Sequence, residues 1–357
     1  MVYIIAFMFS LIIHMAVSDK QFAINGTVDK NLTNSMKATL AMFPIFIIAA
    51  VRYDVGVDYN YAYTKQFDYT LNGIYFEPRG ALFQFLVEIC TKLSSDYAIL
   101  FVVTSWIIYY FFLLGVYKYS ENIYLSFILF GAIGIYFYTL NQVRQFIVVA
   151  VIISIIDYVY TNKKAFLIVC VIMFFVHSAA LEGIILFLVC HILKKKNKKL
   201  VFIISASAVV LSPFFDMLMN YLFPILYSHG LLAYGTLSGN VDTSIVNLVF
   251  SFLAMAMYLV FDKSKNDLLG VIYQNTTLIY FVLSVLSDTI PSSERILRFF
   301  SPFLILSIPY FLMQIKNKKS RFTVSLFLVL FFLCVTVYVH YFLGYDKVFP
   351  YQTIWER

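Results

Sequence analysis

Apolar runs long enough to cross ~30 Å of hydrocarbon recur down the chain, parted by short polar joints. They predict helices near residues 1–17, 38–51, 97–117, 121–140, 142–160, 165–178, 180–193, 200–214, 244–261, 268–287, 296–314 and 322–343, about twelve in all. Several fall short of the ~20 residues a straight span needs, which predicts tilts or breaks inside the bundle. Between 165–178 and 180–193 the stretch "HSAALEG" must turn the chain at membrane depth or close to it. One run differs in kind. In "ALFQFLVEICTKL" (81–93), Gln84, Glu88 and Lys92 recur every fourth position, opposite Phe83, Leu86, Val87 and Cys90. That amphipathic spacing predicts a helix lying in the interface; if it spans instead, loop 52–80 changes sides. The first run, Met1 to Val17, has no basic flank and no small-residue cleavage site, so it reads as a retained helix.

Composition agrees with the pattern. With 62% hydrophobic and 13% charged residues, the chain is too apolar for a soluble globule, where apolar residues make up about half. The 38 Phe and 28 Tyr suit helix ends in the headgroup zone, where a ring stays dry and a phenol wet. Cys90, Cys170, Cys190 and Cys334 stand singly in apolar segments without metal-ligand spacing and read as small core hydrophobes; no metal site and no cofactor are expected. The net charge of +7 is scattered through short loops, which argues for topology and against nucleic acid as a partner.

Lysine gives the orientation. "TNKK" (161–164), "KKKNKK" (194–199), "DKSKND" (262–267) and "KNKKSR" (316–321) alternate with the helices so as to share one face, cytoplasmic by the positive-inside rule. Both termini then lie outside, as do loops 52–80, 215–243 and 288–295 and the tail 344–357. Arginine runs the other way: Arg52, Arg79, Arg144, Arg295, Arg298 and Arg357 fall at or near the outer face. A guanidinium grips phosphate or carboxylate in two places, whereas an ammonium is a solvated point charge. The outer face is therefore suited to an anion.

Polar clusters gather on that face: "RYDVGVDYNYAY" (52–63) with "YFEPRG" (75–80), "NQVRQ" (141–145), "FFVHSAALEG" (174–183) and "SDTIPSSERILRFF" (287–300). Each has an ordinary structural reading. Arg52 could snorkel from a helix end, Asp54 and Asp58 could pair with it, and His177 could be a satisfied interior histidine. Glu182 could cap a helix, and Glu294 could partner Arg295 and Arg298, which share a helical face. Their common side and common chemistry favour a site.

In this order, with "FPYQTIW" (349–355) at the far end, these motifs resemble the EpsG-type family of Wzy-like polysaccharide polymerases over nearly the full length. The chain departs from the expected Gly-Thr-Asp at Gly56-Val57-Asp58, keeping the aspartate, and Arg79 displaces the glycine after Glu77-Pro78. The resemblance implies an all-α integral membrane protein, a single GT-C-like polytopic bundle over 1–357, in a bacterial plasma membrane. It implies transfer of a growing glycan from undecaprenyl pyrophosphate to a hydroxyl of a new lipid-linked repeat unit at the outer face. Donor and acceptor lipids, the bilayer and a chain-length regulator protein are the partners this reading admits; no nucleotide-binding glycine loop is present.

Such chemistry needs cations aimed at the departing pyrophosphate and a base for the acceptor hydroxyl. Arg144, Arg295, Arg298 and Arg52 are the candidates for the first, with Asp54, Gln142 and Glu294 in support. Asp58, His177 and Glu77 are open alternatives for the second. A lipid-linked oligosaccharide flippase or transporter is the main rival; it calls for midplane charges and an internal repeat, and no repeat is visible. A glycan ligase or an acyltransferase is another, the latter having only His177 with Glu182 to offer.

Overall fold

A computed structural model of the chain describes residues 2–17, 30–74, 80–228, 241–262, 267–290 and 293–356. All regular elements among the described residues are helical. In chain order they are α1 (Val2–Ala16), α2 (Lys30–Ala50), a π-helical turn (Tyr59–Tyr63) leading into α3 (Thr64–Leu71), α4 (Ala81–Leu93), α5 (Ala98–Tyr119), α6 (Ile123–Ala132), α7 (Ile135–Asn141), α8 (Val143–Ser154) and α9 (Tyr158–Thr161). There follow α10 (Lys163–Phe174), α11 (Ala180–Ile192), α12 (Lys198–Ser228), α13 (Val241–Phe261), α14 (Leu268–Val285), α15 (Ser293–Phe300), α16 (Leu304–Met313) and α17 (Lys318–Val337).

This is a helical membrane protein. Seven described helices are long and apolar enough to cross a bilayer, eight if the bent pair α6–α7 is one span. Three more apolar helices, α1, α8 and α11, have only 10–17 residues. The expected set of about twelve spans is thus a smaller set of full-length helices plus short and broken ones.

The breaks have local causes. The run expected as 121–140 bends by 56° between α6 and α7, where Gly134 takes φ +84°, a conformation that L side chains avoid. The run expected as 142–160 stops at Ser154, whose carbonyl oxygen accepts from the Tyr119 hydroxyl at 3.1 Å. Beyond 200 the helix continues to Ser228, so the expected outer loop 215–243 begins as α12, and residues 229–240 lie outside the described set. Loop 52–80 likewise carries the π-turn and α3.

The predicted interfacial helix forms as α4, and it has three faces. Phe83, Val87 and Cys90 are buried against the protein, Gln84 and Glu88 stand on a polar side, and Phe85, Ile89 and Leu93 form an exposed apolar stripe. Gln66 of α3 donates to the Gln84 amide oxygen at 2.8 Å, and Gln84 donates to Thr70 Oγ1 at 3.1 Å.

The chain divides into two compact units, 1–181 with 327–357, and 182–326. In the first, α5 packs on α2 and α8, and α1 on α2. Its core is aromatic: Tyr109, Phe112, Phe130, Tyr136 and Phe146 are buried. The phenols find partners within it, Tyr136 donating to Ile45 O at 3.0 Å and Tyr109 bonding Thr139 at 2.7 Å.

The second unit is built around α14, flanked by α12, α13 and α16. Its buried polar residues tie down the lysine-rich loop. Gln274 accepts from the Asn197 N–H (2.9 Å) and the Tyr258 hydroxyl (2.5 Å), while Asn275 donates to Leu193 O (3.0 Å). At the start of α14, Lys196 reaches Asp267 (3.0 Å), Asp262 (3.4 Å) and the Tyr310 hydroxyl (2.6 Å). Burial alone would raise the Asp267 pKa, but the Tyr310 hydroxyl and Lys196 hold it below the usual carboxylate range.

Candidate functional site

The site in the first unit forms around the junction of α7 and α8. Polar residues there can hydrogen-bond outside the helical ladder, and the helix does break: Gln142 has φ −94° and ψ 56°. Its N–H still donates to Tyr138 O (2.9 Å) and its carbonyl accepts from Phe146 N (3.0 Å), so the two helices abut. The buried Gln142 Oε1 has no hydrogen-bond partner among the described residues.

Arg144 falls in the first turn of α8. A cation there opposes the helix macrodipole by ~0.3–1 kcal/mol, whereas an anion is favoured. Its guanidinium hydrogen-bonds the Tyr63 hydroxyl and lies 5.7 Å from the centre of the Phe83 ring. Tyr63 is buried at the end of the π-turn; burial, and then the charge of Asp58, push its pKa up to about 12, with Arg144 pulling the other way. Tyr63 therefore stays a neutral phenol between a cation and a carboxylate.

Asp58 heads the π-turn, and its carboxylate does not cap it. Its backbone N–H donates to Asn141 Oδ1 at 3.0 Å. The loop before it comes very close to α7: Gly56 has φ +102°, and a Cβ there would sit 2.8 Å from Leu140 O. Only glycine fits without displacing backbone. Asp54, exposed, accepts from Asn60 Nδ2.

Arg52 is 1% exposed. Its Nη1 donates to Ala49 O, among the last carbonyls of α2, and lies 3.4 Å from Ser105 Oγ; the guanidinium stacks 4.4 Å from the Phe101 ring centre. Nε and Nη2 have no hydrogen-bond partner, and no carboxylate pairs with Arg52, among the described residues. Burial lowers its pKa, opposed by the surrounding tyrosines, Tyr109 foremost.

His177 stands at the turn between α10 and α11, where its Nδ1 accepts from the Ala179 N–H at 3.1 Å. A neutral ring so held carries its proton on Nε2 and presents a donor. The same turn receives α4, since Leu82 N–H donates to Phe175 O at 2.9 Å. Glu77 lies outside the described residues.

The remaining predicted residues belong to the second unit. Arg298 is buried and paired with Glu294 at 2.6 Å, the structural partnership the spacing suggested. Arg295 is exposed, so the two arginines do not share an environment. Glu182, in the first turn of α11, has a buried Oε2 without a partner among the described residues.

Sequence reasoning passed over Tyr63, which links Asp58 to Arg144, and the pair His340 and Asp346. His340 Nδ1 lies 3.9 Å from Asp346 Oδ2, and Asp346 Oδ1 accepts from Asn141 at 2.5 Å. The separation of 205 positions between Asn141 and Asp346 hides the link from any local pattern.

Its several bilayer-length helices, with the break at α7–α8, make the chain a polytopic helical membrane protein. More narrowly, the chain belongs to the EpsG family, of Wzy-like polymerase type, which it matches over residues 37–353. No curated protein and no solved structure matches the chain.

Proposed function

We propose that the protein polymerises polysaccharide repeat units at the outer face of a bacterial plasma membrane, transferring the growing glycan from undecaprenyl pyrophosphate to a hydroxyl of a new lipid-linked unit. The observation that carries this reading is Arg144: a guanidinium in the first turn of α8, bonded to a neutral phenol that also feels the charge of Asp58. In the transfer, Asp58 takes the acceptor proton and the freed oxygen bonds the anomeric carbon. The bond from that carbon to the pyrophosphate oxygen breaks, and its electron pair leaves with undecaprenyl pyrophosphate, whose growing charge Arg144 and the α8 N–H groups meet.

Asp58 is favoured over His177 because the histidine's Nδ1 is engaged and its Nε2 is the protonated nitrogen. Glu77 remains a candidate on sequence grounds, and so do Arg295 and Arg298 for the pyrophosphate. Arg52 is enclosed by rings and suits a capping role better than a ligand's. A GT-C-like helix arrangement and a chain-length regulator partner belong to the same proposal.

Arg144→Ala should reduce polymer formation by roughly 10²–10³-fold with protein at wild-type level in the membrane, read as glycan ladders in a deletion strain carrying the variant. Normal chain length at normal protein level would remove Arg144 from the site. Single repeat units should accumulate on lipid at the outer leaflet; stranding at the inner leaflet would favour the flippase.

A further inference from the structure

The C-terminal segment after α17 pairs with the loop that follows α2 and reaches the end of α7. Its backbone pairs with residues 51–53: Tyr53 N–H donates to Gln352 O and Ile354 N–H to Val51 O, both at 2.9 Å. Tyr351 donates to Ile48 O and Tyr3 to Val348 O, both at 2.8 Å. The strap is thus anchored to α1 and α2 along its length.

Where it passes the α7–α8 break, two successive non-glycine residues adopt left-handed backbone, Asp346 at φ +61° and Lys347 at φ +48°. Such conformations persist only where the surroundings over-determine them. Here both residues grip the site loop. Asp346 Oδ1 accepts from Asn141 Nδ2 (2.5 Å), Asn141 Oδ1 accepts from the Asp58 N–H (3.0 Å), and Lys347 O accepts from the Gly56 N–H (3.1 Å). Asp346 is 6% exposed and is backed by His340, itself 1% exposed, packed on Phe137 and bonded through Nδ1 to Tyr345 O at 3.2 Å. The amide of Asn141 therefore bridges a carboxylate on the strap and the backbone of Asp58. Arg144 follows Asn141 by three positions, in the first turn of the next helix.

We propose that Asp346 is a positioning residue for the transfer reaction: through Asn141 it sets the Asp58 loop against the head of the helix that carries Arg144, with the His340 ring packed behind it. The inference rests on the reading of Asp58 and Arg144 as the transfer site. It assigns no contact with substrate to His340, Asp346 or Asn141.

The network admits an exchange test, because amide and carboxylate can trade places. Asn141→Asp sets two carboxylates face to face, and Asp346→Asn sets two amides together. The double variant restores one donor to one acceptor, and an aspartate at 141 still accepts from the Asp58 N–H. The assay uses full-length protein in nanodiscs with lipid-linked repeat units extracted from the polymerase-deletion strain. Each single variant should lower kcat roughly 10- to 100-fold, the effect of a small misplacement of reacting groups, with KM changed no more than about twofold. The double variant should recover most of kcat.

Wild-type kcat in either single variant overturns the proposal. So does a loss of folded protein or a rise in KM that accounts for the whole defect, since either would make the network structural only, and so does failure of the double variant to recover. Asp58→Asn and Arg144→Ala are measured alongside. If these retain wild-type transfer, the reading of the site itself falls; if they abolish it while Asn141→Asp and Asp346→Asn do not, the strap alone is wrong.

Discussion

Residue by residue, the site in the first unit sorts its charges by burial. Arg144 is half-buried beside Tyr63. Arg52 is enclosed, holding the last turn of α2 through Ala49 O and stacked on Phe101. A cation at a helix C-terminus is favourable, and a buried charge without a counter-ion is often replaced by an apolar side chain at little net loss. Arg52→Met is thus expected to destabilise the protein by about 1–2 kcal/mol while polymer is still made. Thermal unfolding in detergent and glycan ladders from the same strain check it; loss of polymer at normal stability would put Arg52 back among the pyrophosphate ligands. The distinction between the two arginines was not legible in the sequence, where both stand at helix ends. What decides it is the ring of aromatics brought together from α5, α7 and the π-turn.

At the scale of elements, the hydrophobic pattern read best where one face meets protein and another water. Helix α4 was legible because Gln84 and Glu88 recur every fourth residue, and it forms at the bounds expected. Its third face was not, since Phe85, Ile89 and Leu93 read simply as more apolar residues. They form an exposed stripe on a helix too short to span. With Cys334 changed to serine, a cysteine replacing Glu88 should react several times faster with a membrane-impermeant maleimide than one replacing Phe85 or Ile89. Equal rates would place α4 away from the lipid surface. The helix breaks were harder to read. An apolar run says nothing of the 56° bend at Gly134, and the stop of α8 depends on a hydroxyl from α5.

For the molecule as a whole, membrane class and family were legible, because composition and ordered motifs are properties of the chain alone. The number of full spans was not, as it depends on where runs bend. Nor was the network of Asn141, Asp346 and His340, which joins segments far apart in sequence and hides a histidine in the last apolar run. In the second unit, the lysine-rich loop that signals topology is also a structural tie through Lys196. Asp267 has a depressed pKa in the fold, so the stability it contributes is complete above its unfolded value near pH ~4 and fades as acidification carries the medium down through the folded value. Asp267→Asn keeps an acceptor for the Gly270 N–H that caps α14 and removes the charge together with the oxygen that accepts from Tyr310 and faces Lys196. The variant should therefore melt lower than the wild type at neutral pH, and the gap between the two should narrow as acidification carries the medium down through the folded value. A difference that persists unchanged into acid would assign the stability to packing.

The pairing of Val51 and Tyr53 with Gln352 and Ile354 bears on biogenesis as well. That partner follows the described bilayer-length helices, so a nascent protein still emerging from the insertion machinery holds residues 51–53 without the pairing that fixes them. Under the proposed function, transfer would then begin only once residues 352–354 have been made.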